Sequence, residues 1–530
     1  MVNPIQREHG TVAENAAVST RAGRQSTLTQ LISAGDGRTA ALAAPGRSPL
    51  TFGELRDQMG YVSDFLGRRG IARGDAVALA LGNGPEAAAA FLAVADAAVA
   101  APLNPAYQDS EVAFFLTDLH ARALIVDRDS PSRAASAARA CGVPVVTLVP
   151  CLDRPAGAFS LEWTAAGPLR SARPAERSED VALLLHTSGT TSRPKLVPLT
   201  RDRLCLSARQ IGRTLALAPT DVCLNVMPLF HVHGLVGAVL ATLSAGGSVW
   251  CSPGFNALRF FAWLEQSEAT WYTAVPTIHQ TVLARGREHD RARRRHRLRF
   301  VRSSSAPLVE GLWQSLEDFF CVPALNAYGM TEATHQIASN PLPPRARKPR
   351  TVGLSTGPEI GVMDESGCLL PPGSIGEVVL RGDTVMAGYE QPIETNAAAF
   401  YDGWFRTGDQ GALDTSSYLT LTGRLKELIN SGGEKISPYE IEAVLLQHPA
   451  VAQAVSFAVP HSSLGEAVGV AVVLRENQQV TERALRRFAA DRLAKFKTPR
   501  RIVMLDELPR GATGKLQRVG LARRLNVDAS

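Results

Sequence analysis

No CxxC pair occurs among the seven cysteines, which scatter from Cys141 to Cys368. Zinc sites and disulfide frameworks need patterned thiols, so this odd set reads as the reduced thiols of a cytoplasmic protein. Long apolar runs are missing too. The longest stretch, near His233 to Trp250, is broken by Gly237, Ser244, Gly246 and Gly247. It reads as a buried helix, a turn and a strand, not a membrane span. Residues Met1 to Thr11 hold no apolar segment, so no secretory signal is expected, and the C-terminal Asp-Ala-Ser is not a peroxisomal address. Neither sign of charge dominates: 56 Lys and Arg against 50 Asp and Glu give +6. That balance suits polyanionic small molecules and does not call for nucleic acid. The most basic run, Arg291 to Arg299, has no interleaved aromatics and reads as a solvated loop.

A chain of 530 residues exceeds one core, so at least two domains are expected. Short apolar strands alternate with helical segments. Ala76 to Leu81 reads as a strand and Pro85 through Val99 as a helix. Further strands are expected near Ala123 to Val126, Val181 to Leu185, Val222 to Val226, Trp271 to Ala274, Arg299 to Arg302 and Ala324 to Ala327. The alternation predicts layered α/β structure with largely parallel sheets. After the Pro- and Arg-rich stretch Asn340 to Arg350 the pattern turns β-like. A further break at Gly423 to Gly433 leaves about a hundred residues, enough for a small domain.

Residues 186–198 are the most informative stretch. Six small hydroxyl or glycine residues, Thr187 to Ser192, follow the apolar strand and precede Arg193 and Lys195. Hydroxyls, backbone N–H groups and an ammonium are what a loop needs to hold phosphate oxygens. It is not a Walker A loop, because the terminal Gly-Lys-Ser/Thr is absent. Four more clusters carry chemistry. Tyr328-Gly329-Met330-Thr331-Glu332 offers an aromatic to stack a base, a hydroxyl for phosphate and a carboxylate for Mg²⁺. In Trp404 to Asp409, Asp409 can accept from both ribose hydroxyls. Gly423 to Glu427 leads into Ser431-Gly432-Gly433-Glu434-Lys435, and Gly511-Ala512-Thr513-Gly514-Lys515 lies near the C-terminus.

In this order and spacing the clusters resemble the adenylate-forming superfamily of acyl-CoA synthetases, peptide-synthetase adenylation domains and luciferases, from about Thr51 to Arg518. The resemblance implies a large N-terminal domain (residues 1–424) of layered α/β subdomains plus a β-rich subdomain. A hinge (425–427) and a small mobile α+β C-terminal domain (428–530) would follow. It implies ATP, Mg²⁺ and coenzyme A as cofactors and a small-molecule acid as substrate. By position, Thr187, Ser188, Gly189, Thr190, Thr191 and Lys195 would belong to the mobile phosphate loop. Ser305, Ala306, Pro307, Ala327, Tyr328 and Gly329 would frame adenine. Thr331 would touch the α-phosphate, Glu332 would hold Mg²⁺, and Asp409 and Arg424 would take the ribose. Lys426 would be the hinge residue, Lys515 the catalytic lysine, and Ser431, Gly432 and Gly433 the loop against pantetheine.

Within that superfamily, Thr331 to Pro343, Met227 to Gly234 and Lys426 to Pro438 are similar to the oxalate–CoA ligases. Relatives that take larger acids often carry glycine or alanine at the positions of Ser304 and Ser305. Hydroxyls there would shorten the pocket, and His231 and His335 would bond a second carboxylate. The alternatives are a medium- or long-chain fatty acid–CoA ligase, and a stand-alone adenylation enzyme that loads a carrier protein. No carrier domain follows residue 530, which disfavours an embedded adenylation module. Leu196 stands where relatives usually have glycine, predicting a stiffer loop, and Arg350 stands where the subgroup tends to have glycine.

Overall fold

The computed structural model describes residues 27–128, 133–164, 178, 180–187, 194–286, 295–509 and 518–527. Two largely parallel sheets dominate the first 355 residues. One has seven strands in the order Phe159–Trp163, Val145–Pro150, Ala123–Asp127, Ala76–Ala80, Val99–Pro102, Val181–Thr187 and Lys195–Thr200. Its centre is parallel and both outer pairs are antiparallel. The other has nine strands. Its parallel core runs through Ala324–Met330, Phe300–Ser303, Trp271–Ala274, Val222–Asn225 and Ser248–Cys251.

One hydrophobic core joins the two sheets. The helix Pro85–Ala97 lies within it and touches strands of both. Its sequence explains how: seven of its thirteen residues are alanine, at positions 87–90, 93, 95 and 97, so neighbouring backbones approach closely. The helix stops at Ala97, two residues short of the expected Val99. Val99–Pro102 forms a strand instead, because a fully buried parallel strand reads as an apolar run with no period of its own.

The β-like stretch forms a five-stranded sheet containing Glu359–Met363, Gly376–Arg381, Trp404–Leu413 and Leu419–Arg424. A second five-stranded sheet follows residue 428, built on the long hairpin Val451–His461 and Gly465–Leu474. It buries its own cluster, including Ile429, Ile441, Leu445 and Val470. Among the described residues no helix is long and apolar enough to cross a membrane.

Buried His279 shows how tightly the polar interior is accounted for. Its Nε2 faces the carbonyl oxygen of Arg302 at 3.2 Å and its Nδ1 faces the Tyr272 hydroxyl at 3.0 Å. A carbonyl only accepts, so Nε2 carries the proton and Tyr272 donates to Nδ1. Burial pushes His279 down to about 4. The unfolded chain therefore binds more protons than the native one below about 6.5, and stability falls as pH drops from there towards 4. The slope from this residue approaches ~1.4 kcal/mol per pH unit. Urea unfolding between pH 7.5 and 5 should show a falling midpoint, and His279→Gln should flatten part of that slope. An equal slope in the variant contradicts the assignment.

Candidate active site

The hairpin Ala324–Met330 and His335–Ser339 organises the site. A 3₁₀ turn, Thr331–Ala333, joins its strands, and Thr334 and His335 both have positive φ, 53° and 93°. Gly329 pairs with Gln336 across the hairpin, and a Cβ there would lie 1.6 Å from the carbonyl oxygen of His335. Only glycine permits this close crossing. The tight turn presents Tyr328, Glu332 and His335 from one short segment.

Tyr328 meets the β-like sheet. Its hydroxyl donates to Asp409 Oδ2 at 2.5 Å, and Arg424 Nε donates to Asp409 Oδ1 at 2.9 Å. Asp409 and Arg424 are register partners on adjacent antiparallel strands, which sets the ion pair. Burial raises the Asp409 carboxyl and Arg424 pulls it back down. The Asp409 charge raises Arg424, and burial followed by Asp409 holds the Tyr328 phenol well above its usual value. The phenol thus stays a donor and the guanidinium stays charged.

Glu332 forms a second group. Its Oε1 accepts from Tyr389 at 3.0 Å and from Thr187 Oγ1 at 3.4 Å. The Lys195 ammonium lies 4.3 Å from the centroid of the Tyr389 ring. Burial lowers Lys195, Glu332 opposes that, and Lys426 lowers it further, so these three charges share one neighbourhood. Tyr389 was not visible as a site residue in the sequence, because a lone aromatic after a glycine carries no signal. Leu196 is fully buried; its N–H donates to the Gln391 carbonyl at 2.7 Å and its carbonyl accepts from the Glu390 N–H at 2.9 Å. Arg350 is exposed and pairs with Glu310.

A third group lies beside the hairpin under the helix His233–Leu240. Arg302 is completely buried. Its Nη1 donates to Thr273 Oγ1 at 3.1 Å, and its Nη2 donates to Gln336 Oε1 at 2.9 Å and His335 Nε2 at 3.2 Å. No carboxylate pairs with it among the described residues. His233 stacks on His335 with centroids 5.2 Å apart and contacts Thr273 Oγ1 at 2.6 Å and Ser305 Oγ at 3.0 Å. Burial, then neighbouring His335 and Arg302, hold His233 well below 6.5; burial, then Arg302, do the same for His335. A Cβ on Gly237 would sit 2.3 Å from His335 Nε2, so the helix leaves the ring its space through that glycine. The hydroxyls of Ser303 and Ser304, Arg302 Nε and Gln336 Nε2 are buried without a partner.

His233, which the sequence did not single out, lies against Ser305, while the ring of His231 packs on Phe230. Ala327 is buried in its strand, whereas Ala306 and Pro307 are exposed after theirs. Thr331 opens the 3₁₀ turn. Lys426 lies in a second such turn, Leu425–Glu427. Ser431, Gly432 and Gly433 form the tip of a small hairpin, where both glycines have positive φ. Ser188, Gly189, Thr190, Thr191 and Lys515 lie outside the described residues. Arg518, just beyond that last segment, is clamped to Glu442 and to Glu427 at 2.7 and 3.0 Å.

The AMP-binding enzyme family matches residues 32–390, and the AMP-binding enzyme C-terminal domain matches residues 440–515. The oxalate–CoA ligase of Arabidopsis thaliana is 43% identical over 484 residues, covering 90% of this chain and 94% of that protein. The oxalate–CoA ligase of Saccharomyces cerevisiae is 40% identical, covering 84% and 86% respectively. ATP-bound MatB from Rhodopseudomonas palustris superposes with a TM-score of 0.82 at 31% identity, covering 94% of this chain and 98% of that one. With the α/β sheets, the smaller terminal sheet and the Tyr328–Asp409–Arg424 cluster in this arrangement, the chain belongs to the adenylate-forming family of AMP-binding enzymes.

Proposed function

We propose that the acid activated by this AMP-forming acid–CoA ligase is oxalate. The observation that carries this reading is Arg302, a fully buried cation whose partners are all neutral. An unpaired buried charge costs several kcal/mol, and a substrate with a second carboxylate supplies the missing countercharge. The partnerless hydroxyl of Ser304 and the paired imidazoles of His233 and His335 stand in the same cluster. An alkyl chain would leave such groups unpaired at roughly 1–3 kcal/mol each. A medium- or long-chain acid therefore fits this cluster worse than a short diacid. The 43% identity to an oxalate–CoA ligase supports the same choice.

One carboxylate oxygen attacks the α-phosphorus of ATP, an acyl–phosphate bond forms, and pyrophosphate leaves. The thiolate of coenzyme A then attacks the acyl carbon and AMP departs. Both first-step partners are anions, so the protein must neutralise and align them. Thr187, the loop through Thr191, and Lys195 would take phosphate oxygens, with Thr331 at the α-phosphate. Asp409 and Arg424 would take the ribose, and Tyr328, Ser305, Ala306, Pro307, Ala327 and Gly329 the adenine. Glu332 Oε2 has no protein donor among the described residues, which fits a site where one carboxylate and substrate phosphates hold Mg²⁺. The bound ion would supply positive charge to those phosphates.

Lys515 would supply the second charge of the first step. Residues 428–530 would then pivot on Lys426 away from 1–424, withdrawing Lys515 and bringing Ser431 to Gly433 to the pantetheine. Arg518 ties the lysine segment to Glu427 beside that pivot, which supports movement of the two together. Coenzyme A as acceptor is favoured over a carrier protein by the relatives, and seven free thiols support a cytoplasmic setting.

The test of substrate is a panel of acids from oxalate to palmitate, scored by CoA- and ATP-dependent AMP release. Oxalate should give the highest kcat/KM, and His335→Ala should weaken it more than it weakens a medium-chain acid. A wild-type preference for the fatty acid overturns the oxalate reading and leaves the ligase. Lys515→Ala should slow adenylation by about 10²–10³-fold while sparing thioester formation from supplied acyl-AMP. Equal loss in both half-reactions contradicts its assigned step.

A further inference from the structure

We infer that Arg302 is a positioning residue that fixes every proton in two hydrogen-bond arms, so that both end as donors to the acid. The inference rests on the acid site proposed above and adds the direction of its hydrogen bonds. A guanidinium can only donate. At the first arm, Thr273 Oγ1 accepts from Arg302 Nη1 at 3.1 Å. Thr273 is fully buried, and His233 Nε2, at 2.6 Å, is the one acceptor within reach of its hydroxyl proton among the described residues. If Nε2 held a proton instead, the buried Thr273 O–H would be left without an acceptor. Thr273 therefore donates to Nε2, and the single proton of neutral His233 sits on Nδ1. That N–H donates to Ser305 Oγ at 3.0 Å, and Ser305 is exposed, so its own O–H is free to point outwards.

The second arm is one step long. Arg302 Nη2 donates to His335 Nε2 at 3.2 Å, so the proton of neutral His335 also sits on Nδ1. No protein acceptor meets that N–H among the described residues. The stacking of the two rings keeps the arms adjacent, with centroids 5.2 Å apart. One buried cation thus turns two amphoteric imidazoles, either of which can donate or accept at either nitrogen, into fixed donors. Carboxylate oxygens only accept, so two preset donors favour a carboxylate over an alcohol, an amide N–H or an alkyl end. Cooperative polarisation along the first arm strengthens its terminal O–H.

The experiment is long-range ¹H–¹⁵N correlation on ¹⁵N-histidine-labelled full-length enzyme without substrate at pH 7.5, with His233→Asn and His335→Asn for assignment. Both residues should appear as the Nδ1–H tautomer with unprotonated Nε2. Either ring found as Nε2–H, or doubly protonated, overturns the inference. Thr273→Val, which keeps the shape and cuts only the first arm, should release His233 into a tautomer mixture and leave His335 unchanged. It should raise the oxalate KM by about tenfold, the loss expected of one buried hydrogen bond, with the KM for ATP unmoved. A Thr273→Val enzyme with wild-type His233 spectrum and oxalate KM also overturns it. The spectra are independent of which acid is used, so failure of the oxalate panel and failure of the relay are separately visible.

Discussion

Arg302 is buried beneath the proposed acid site with three neutral partners, Thr273, Gln336 and His335. A cation in that position is expensive, and the surrounding sequence reflects the expense. Thr273 and Arg302 are register partners near the ends of neighbouring parallel strands, so the sheet brings a hydroxyl to the guanidinium at its carboxyl edge, where open α/β sheets gather their ligands. Burial and the adjacent charge keep His233 and His335 neutral, which preserves the one cation as the source of positive potential. Had either imidazole been protonated, like charges would face each other inside the core. In the proposed complex a substrate carboxylate would supply the countercharge that these neutral partners lack.

The hairpin after Ala324 links that floor to the nucleotide groups. Tyr328 reaches Asp409 on the β-like sheet, Glu332 reaches Tyr389, and His335 reaches Arg302, all within eight residues. Such density needs a backbone that reverses abruptly, and the positive φ at Thr334 and His335 records the strain. Non-glycine residues in this region cost of order 1–3 kcal/mol each and persist where surrounding contacts over-determine them. Here the contacts are visible: Thr334 Oγ1 donates to the Thr384 carbonyl, its own carbonyl accepts from Ser207, and the His335 ring is pinned at Gly237.

Much of this was legible in the chain. The alternating strands and helices, the β-like change after residue 340 and the terminal segment were read from period and turn residues, because each buries a patterned face. The motif at Tyr328 to Glu332 and Asp409 are legible from residue type, and Arg424 only through the family resemblance. What escaped was long-range pairing. Arg302 looked like the polar end of a strand, since nothing local says that Thr273 and Gln336 will close over it. His233 carried no separate signal, because spacing of two residues on a segment that winds into a π-helix does not say which ring turns inwards. Val99 was read into the helix because an apolar run buried on both faces has no period to mark its change of structure.

In the proposed acid site, specificity would come from what is already present before the acid arrives. A flexible polar pocket would have to order its donors on binding and lose affinity in doing so. Under the inferred relay the ordering would be part of folding: the hydrogen bonds that satisfy the buried guanidinium would also set the tautomers of His233 and His335. A monocarboxylic alkyl acid gains the adenylation chemistry but leaves those donors buried and unmet. Discrimination of that kind exceeds what an apolar pocket achieves by size alone, since an unpaired polar group is penalised more heavily than a missing methylene. On the proposed reading, the polar core beneath the sheet edge would serve stability and substrate choice through one set of contacts.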